Sequence, residues 1–317
     1  MRDIVRDKSS NPLVVIVMAL YNPNRIWFRE LLKSVYSQTY DNLGIVIRDD
    51  ASTDITVEEI TEYLEEYDRK IPYVIYRNEV NEGSNKTYEK LIREAEGDYI
   101  AFCDQDDVWE EDKIEALVGC LQENNAVMAY SDVKVIDNKG EIVYNSLREL
   151  RKRIEYIQGE HLISKYLYVN CTAGCTMMIS GDVVEKIGDI PDGSYWDHWT
   201  CIVAAYYGRI GYVDRQLMRY RQHGGNQSGV LAGIETKEDY YRIRVQSLKN
   251  RADEIQRRNY IYDTLERDKD FINARVHRKL IKIYRYRGLC KKEAWFEIMM
   301  CLIPERLFKI IINCIKR

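Results

Sequence analysis

Three carboxylates stand within four positions in the segment AFCDQDDVW, residues 101–109, directly after an apolar run. They belong to Asp104, Asp106 and Asp107. Acids that repel one another beside a buried strand are unfavourable unless a cation, a donor-rich ligand or water compensates their charge. A D-x-D pair at a strand end suits a divalent cation with hard oxygen ligands, whose remaining positions are taken by phosphates of a substrate. The alternative interpretation is a solvated turn.

The elements that must position these acids alternate along the first third of the chain. LVVIVMAL, residues 13–20, is a continuous apolar run typical of a strand buried on both faces. LGIVIRDD (43–50), YVIYRN (73–78) and DYIAFCD (98–104) predict three further strands, and amphipathic helical segments lie between them. This alternation predicts an α/β fold with a mostly parallel sheet.

Polar residues follow three of these four predicted strands. They are Asn22, the pair Asp49 and Asp50, and the acidic segment at residues 104–107. In parallel α/β sheets, ligands bind outside the carboxyl ends of the strands. Independent solvated turns have no reason to collect at one edge, so this placement favours a site whose cation neutralises a diphosphate group.

Three other phosphate chemistries fit the sequence poorly. A dinucleotide-binding Rossmann domain requires G-x-G-x-x-G after the first strand, and ALYNPNR, residues 19–25, contains no glycine. A P-loop is missing for the same reason. Phosphatases of the haloacid-dehalogenase type also have a D-x-D-x-V motif, but their nucleophilic Asp usually follows the first strand of the core, whereas here it would follow the fourth.

Composition places the chain among ordinary globular proteins. It has 317 residues, 45% of them hydrophobic, and a formal net charge of −4, which gives no indication of a nucleic-acid partner. The eight cysteines are scattered, and Cys171 and Cys175 lack a second pair at zinc-site spacing. We expect no signal peptide and no membrane-spanning helix, because no apolar run is long enough.

Longer motifs resemble those of a known enzyme family. VVIVMALYNPNRIWFRELLKSVYSQTYDNLGIVIRDDASTD, residues 14–54, and NEGSNKTYEKLIREAEGDYIAFCDQDDVW, residues 81–109, resemble the first half of the inverting family 2 glycosyltransferases of the GT-A fold. DQDDVW, together with DHW and YRQHGGNQSG further along, is similar to the rhamnosyltransferase-like branch that builds bacterial surface polysaccharides.

The resemblance implies a domain organisation. Residues 1–230 would form the GT-A catalytic domain, a Rossmann-like, mostly parallel mixed sheet flanked by helices. Its nucleotide-sugar-binding half would span about 12–108 and its acceptor half about 109–230. Residues 231–317 would form a helical C-terminal extension. RIGYVDRQLMRYRQHGGNQSG, residues 209–229, has the pattern of a hairpin that ends in a polar loop.

Carried over by position, the resemblance implies roles for residues of the donor site. The nucleotide sugar would contact Ala19, Tyr21, Asn22, Asp49, Asp50, Asp104 and Gln105. A divalent cation, Mn²⁺ or Mg²⁺, would bind Asp106 as its main ligand, together with Asp104 and His223. The alternative for His223 is an ordinary structural histidine.

Inverting transfer requires one base that takes the proton from the acceptor hydroxyl. Asp197 fits this role by residue type and by place, in the first turn of a predicted helix between tryptophans. Neighbouring apolar rings would raise the pKa of such a carboxyl. The alternative is a helix N-terminal acid stabilised by the helix dipole. The implied acceptor contacts are Asp107, Trp109, Trp196, His198 and Trp199.

These features predict transfer of a sugar, with L-rhamnose from dTDP-L-rhamnose as the expected donor, to a glycan or lipid-linked acceptor. The alternatives are a UDP-hexose donor or a catalytically silent glycan-binding scaffold subunit. Residues 271–317 carry 12 Lys and Arg against 3 acidic residues, among large apolar side chains. Their helices would lie on an anionic membrane at the cytoplasmic face, pack on the catalytic domain, or form a homodimer interface.

Overall fold

The computed structural model describes residues 11–151, 154–224, 234–258, 260 and 291–316. The chain divides into two compact units. The first comprises residues 1–160, 171–189 and 207–224, and the second comprises residues 161–170, 190–206 and 225–317. Residues 161–170 and 190–206 of the predicted catalytic domain therefore belong to the second unit, and the division into donor and acceptor halves stays a prediction.

A mixed β-sheet organises the first unit. Its strands are β1 (Val14–Leu20), β2 (Leu43–Asp49), β3 (Tyr73–Arg77), β4 (Tyr99–Cys103), β5 (Val108–Trp109), β6 (Ala126–Ile136), β7 (Ile142–Tyr144), β8 (Met177–Ser180) and β9 (Arg209–Arg221). They pair in the order β3-β2-β1-β4-β8-β6-β9-β5, and β7 pairs with β6. β1 to β4 are parallel, whereas β8 is antiparallel to β4 and β6. The predicted α/β sheet is confirmed.

Helices cover this sheet where the sequence alternates with its strands. The helices of the first unit, numbered along the chain, are α1 (Arg25–Tyr36), α2 (Val57–Glu65), α3 (Ser84–Glu94), α4 (Lys113–Glu123), α5 (Leu147–Leu150) and α7 (Gly181–Ile187). The Asn24 side chain caps α1 by accepting from the N–H groups of Ile26 and Trp27. The buried face of α1, including Phe28 and Leu32, joins the hydrophobic core of the sheet.

The register of β1 brings the polar strand ends to one edge. Leu20 lies opposite Asp49 of β2, and Met18 lies opposite Cys103 of β4. β1 is buried along almost its whole length, and each fully buried Val or Ile side chain contributes about 1.5–3 kcal/mol. Slipping this register would bring strand residues out of the core, so the packing of β1 fixes where the following polar residues lie.

Residues 209–221 form one long strand, so the predicted hairpin is wrong. β9 is parallel to β6 and antiparallel to β5, with Val108 opposite Arg219. Its backbone therefore pairs with two other strands, and it does not fold back on itself. The predicted polar loop at residues 225–229 lies outside the described residues.

The second unit is helical in its described part. Its helices are α6 (Ile163–Tyr168), α8 (Trp196–Tyr207), α9 (Lys237–Tyr240), α10 (Gln246–Arg257), α11 (Lys291–Leu302) and α12 (Glu305–Lys316), and a π-helical segment, Tyr241–Val245, joins α9 to α10. Thr236 and Asp239 form a reciprocal capping box at the start of α9. Among the described residues, no helix has both the length and the apolar character to span a membrane.

Candidate active site

The acidic segment, residues 104–107, connects β4 to β5 beside the end of β9. The Asp106 carboxylate lies 2.6 Å from Nε2 of His223, two residues after β9 ends. The backbone N–H of Arg221 donates to Oδ1 of Asp107 at 3.0 Å. The structure therefore brings together two of the three predicted metal ligands.

Asp104 and Asp107 form a second group with Cys175. One ligand atom from each of these residues lies within 4.8 Å of the others. Burial, followed by the charges of Asp107 and Asp104, raises the pKa of the Cys175 thiol well above its ordinary value. A protonated thiol is a poor metal ligand, so the carboxylates are the ligands that this group offers. Cys175 is not among the predicted site residues, because its proximity to the acids depends on β8 entering the sheet beside β4.

The acidic segment holds negative charge that its protein neighbours compensate only in part. Burial, followed by the charge of Asp106, raises the pKa of Asp104 to about 6, although the Tyr88 hydroxyl donates to its Oδ1 at 2.9 Å. Burial and the charges of Asp106 and Asp104 raise the pKa of Asp107 well above its ordinary range. Oδ2 of Asp107 is buried and accepts no well-formed hydrogen bond from the described residues.

The donor set fits a divalent cation. Carboxylate oxygens with one imidazole nitrogen suit Mn²⁺, and the carboxylates alone suit Mg²⁺. A cation beside these acids would relieve the repulsion that raises the pKa values of Asp104 and Asp107. The predicted metal site therefore matches the chemistry of the residues that the fold collects there.

Lys113, at the start of α4, is a buried lysine beside these acids and is not among the predicted site residues. Nζ donates to the Cys175 carbonyl at 2.7 Å and lies 3.7 Å from the centroid of the Trp109 ring. Burial lowers the pKa of Lys113 to about 8, although the negative charges nearby act in the opposite direction. A cation at a helix N-terminus is unfavourable for the helix dipole, and this was the available signal in the sequence.

Trp109 lies in the core under Lys113. Its side chain is buried, and its backbone N–H donates to the Ser34 hydroxyl at 3.0 Å. Trp109 therefore contacts α1 through its backbone and α4 through its ring in this structure, and its predicted contact with an acceptor stays a prediction.

The end of β1 carries the predicted contacts to the nucleotide. The Tyr21 N–H donates to Oε1 of Gln105 at 2.9 Å, and Nε2 of Gln105 donates back to the Tyr21 carbonyl at 3.2 Å. This reciprocal pair ties the end of β1 to the acidic segment and leaves Tyr21 47% exposed. Ala19 is half-buried within β1, and Asn22, at a φ of 42°, accepts from the Thr53 N–H at 2.8 Å.

Asp49 and Asp50 are already engaged by the protein. Asp50 accepts from the N–H groups of Glu82 and Gly83, both at 2.8 Å, at the start of α3. Asp49 accepts from the Ser52 N–H at 3.1 Å and pairs with a nearby arginine of β3 at 3.2 Å. Both carboxylates therefore shape the loops at the edge of the sheet, and their direct contact with a nucleotide stays a prediction.

Asp197 lies in the first turn of α8, in the second unit. Nδ2 of Asn170 donates to one of its carboxylate oxygens at 3.1 Å, and the N–H of His198 donates to the other at 2.6 Å. The residue is half-buried. A helix-capping acid and a general base both fit these contacts, so the catalytic role stays a prediction.

The three aromatic residues predicted beside Asp197 are packed within the second unit. Trp196 and Trp199 are buried, and His198 contacts the Tyr166 carbonyl through Nε2. Burial, followed by the charge of a neighbouring arginine, lowers the pKa of His198 well below its ordinary value, so the ring is neutral and donates to that carbonyl. Tyr195 is the exposed aromatic of this segment, which the sequence analysis did not single out.

Comparison with known proteins identifies the family. The model of the family described as glycosyl transferase family 2 matches residues 15–188. The chain belongs to glycosyl transferase family 2. It is 30% identical over 238 residues to the dTDP-rhamnosyl transferase RfbG of Shigella flexneri, which covers 71% of this chain and 78% of RfbG. The predicted family is confirmed.

Solved structures of glycosyltransferases share the fold of this family 2 chain. TarS of Staphylococcus aureus in complex with UDP-GlcNAc superposes with a TM-score of 0.59 at 17% identity, covering 90% of this chain and 73% of that one. The mannosyltransferase PcManGT of Pyrobaculum calidifontis, in complex with GDP-Man and Mn²⁺, has a TM-score of 0.56 at 16% identity, covering 98% and 81%. The GT-A fold is confirmed.

Proposed function

We propose that this family 2 glycosyltransferase transfers L-rhamnose from dTDP-L-rhamnose, with inversion, to a glycan or lipid-linked acceptor of a bacterial surface polysaccharide. The observation that carries the proposal is the Asp106–His223 pair beside two carboxyls of raised pKa, at the carboxyl ends of the parallel strands of the sheet. The 30% identity to RfbG supports the rhamnosyl donor.

The donor site would hold a divalent cation through Asp106, His223 and Asp104. When bound, this cation would neutralise charge on the diphosphate leaving group. The exposed Tyr21 ring offers a surface for stacking the nucleotide base. Gln105 would hold the Tyr21 backbone in place for that contact through its two hydrogen bonds.

Asp197 would serve as the general base. Its carboxylate is half-buried, and the Asn170 amide donates to it, which holds it in one orientation. An oriented carboxylate that keeps some access to solvent fits removal of a proton from an acceptor hydroxyl. We propose Asp107, Trp109, Trp196, His198 and Trp199 as the residues that line or support acceptor binding.

A UDP-hexose is the second donor candidate, because the superposing TarS structure holds UDP-GlcNAc. A panel of dTDP-, UDP- and GDP-sugars, each with and without Mn²⁺, separates the donors by nucleotide release in the presence of a glycan acceptor. We expect release from dTDP-L-rhamnose with Mn²⁺ and little release without it. Release from a UDP-hexose alone would replace the donor, and no release from any sugar under any condition would favour the scaffold alternative.

We also propose that the C-terminal helices contact the cytoplasmic surface of the membrane. In α11, the exposed apolar residues Trp295, Met299 and Leu302 recur at helical spacing along one face. Trp295 is 58% and Leu302 59% exposed, and Ile310 of α12 is 61% exposed. Exposed lysine and arginine residues accompany them at positions 291, 292, 306 and 309. Apolar side chains with cations at their margins suit a membrane of anionic lipid.

Point substitutions test this contact better than truncation, because Glu297 of α11 is buried and bound to Tyr240 and Arg244. Trp295→Ser with Leu302→Ser should weaken binding to phosphatidylglycerol vesicles at least about tenfold in a flotation assay, since each side chain contributes about 1.5–3 kcal/mol of burial.

Ile142→Ser, which alters an exposed apolar residue of β7, is the matched control and should leave flotation unchanged. Unchanged vesicle binding in the double variant would contradict the membrane contact. A dimer seen for the wild type in sedimentation, and lost in the double variant, would assign the same face to a homodimer.

A further inference from the structure

Arg221, the last residue of β9, carries a buried guanidinium with no assigned role in the proposed reaction. It is 1% exposed and lies two residues before His223. Burying a cation is costly unless good hydrogen bonds and charges compensate it. The partners of this side chain therefore indicate what it does.

The guanidinium binds three separate parts of the first unit. Nε donates to the Asp106 carbonyl at 2.9 Å, and one terminal nitrogen donates to the Asp137 carbonyl at 3.1 Å. The other terminal nitrogen pairs with the Glu30 carboxylate at 2.6 Å. These partners lie in the acidic segment, in the turn between β6 and β7, and in α1.

Trp27 of α1 extends this arrangement to the histidine. Its ring centroid lies 5.1 Å from the Arg221 guanidinium carbon and 5.1 Å from the centroid of the His223 ring. Its indole N–H donates to the Asn138 carbonyl at 3.2 Å, which fixes the orientation of the ring. The backbone of Asp106 and the ring of His223 are thus both held through contacts that meet at Arg221.

We propose that Arg221 is a positioning residue that holds Asp106 and His223 side by side, so that both can bind one divalent cation. The proposal rests on the metal site of the proposed function. A guanidinium directs its N–H groups along fixed directions in one plane, whereas a lysine offers only a compact charge. Outer partners of metal ligands orient those ligands and so set metal affinity.

The test is Mn²⁺ affinity of the full chain, measured by electron paramagnetic resonance titration in the presence of dTDP. Arg221→Met and Arg221→Lys should both bind Mn²⁺ about 10- to 100-fold more weakly than wild type. The lysine keeps the positive charge but loses the planar set of N–H donors. Glu30→Gln removes the charge of one partner near the surface and should weaken binding less, in a variant that folds readily.

Arg69→Met is the matched control. Arg69 also donates to backbone carbonyls of the first unit, among them those of Tyr36 and Asp41 at 3.4 and 3.3 Å, away from the acidic segment. Its loss should leave Mn²⁺ affinity unchanged. Circular dichroism melting curves identify a temperature at which all variants are folded for the titration.

Wild-type Mn²⁺ affinity in both Arg221 variants would overturn the positioning role and leave the proposed function intact. If the wild type itself bound no Mn²⁺, the metal part of the proposed function would fail, and crystal structures would decide the positioning role. In those crystal structures, the separation between the Asp106 carboxylate and the His223 imidazole would be compared with 2.6 Å in the wild type. An unchanged separation in Arg221→Lys would overturn the positioning role, and loss of the contact would support that role.

Discussion

Asp197→Asn is expected to abolish sugar transfer while leaving donor binding almost unchanged. The amide has nearly the shape of the carboxylate and keeps an oxygen that accepts hydrogen bonds, but it cannot take a proton from the acceptor. Loss of a general base costs about 10²- to 10⁴-fold in rate. Steady-state turnover measures the loss, and calorimetric titration with dTDP and Mn²⁺ measures donor binding.

Asp182→Asn is the matched control for the capping interpretation of Asp197. Asp182 also lies in the first turn of a helix, α7, and it is exposed. If an acid at a helix start acts only through the helix dipole, both substitutions should cost similar, small amounts of stability and no activity. Near-normal turnover of Asp197→Asn would therefore return that residue to a capping role.

Removal of the divalent cation is expected to weaken donor binding strongly. The diphosphate would then face the acidic segment without a bridging charge, and like charges at close range repel. Asp106→Asn should produce much of the same loss, at least about 10-fold in the affinity for dTDP measured with Mn²⁺ present, because losing a direct ligand should cost no less than losing an outer partner. Calorimetric titrations with Mn²⁺ and with EDTA measure both effects.

The affinity of the site for Mn²⁺ is expected to depend on pH. Because the pKa of Asp104 is raised to about 6, this carboxyl is protonated below that pH and ionised above it. Metal ligation requires the ionised form, so Mn²⁺ affinity should fall as pH falls through about 6. The raised pKa also means that the ionised carboxyl destabilises the metal-free fold as pH rises through this window.

Asp112→Asn is the control for the Asp106 substitution. Asp112 lies at the start of α4 and pairs with Arg215 at 2.8 Å, so its loss changes charge close to the acidic segment without touching the metal ligands. Donor affinity should stay near wild type in this variant. Donor binding that is insensitive both to EDTA and to Asp106→Asn would exclude the metal-dependent mechanism.

The order of strands and helices in the first unit was predictable because it depends on local patterns. A continuous apolar run specifies a strand buried on both faces, as at Val14–Leu20, and polar residues after such runs mark the functional edge of a parallel sheet. The acidic segment and its cation chemistry followed from residue type and from that position. The hairpin prediction failed because the strands that pair with β9, β5 and β6, lie far away in sequence, and a local pattern does not identify such partners.

Tertiary structure alone decided which side chains meet and which are buried. Asp106 and His223 are 117 positions apart, and their contact depends on β5 pairing with β9. Lys113 is a polar residue at a helix start in the sequence, yet packing against Cys175 and Trp109 buries it completely. The same holds for Arg221, whose partners come from three distant elements.

The sequence by itself determined the elements and the family, because local periodicity and short motifs encode them. Burial, charge compensation and ligand spacing required the packed sheet, because these properties belong to contacts between distant segments.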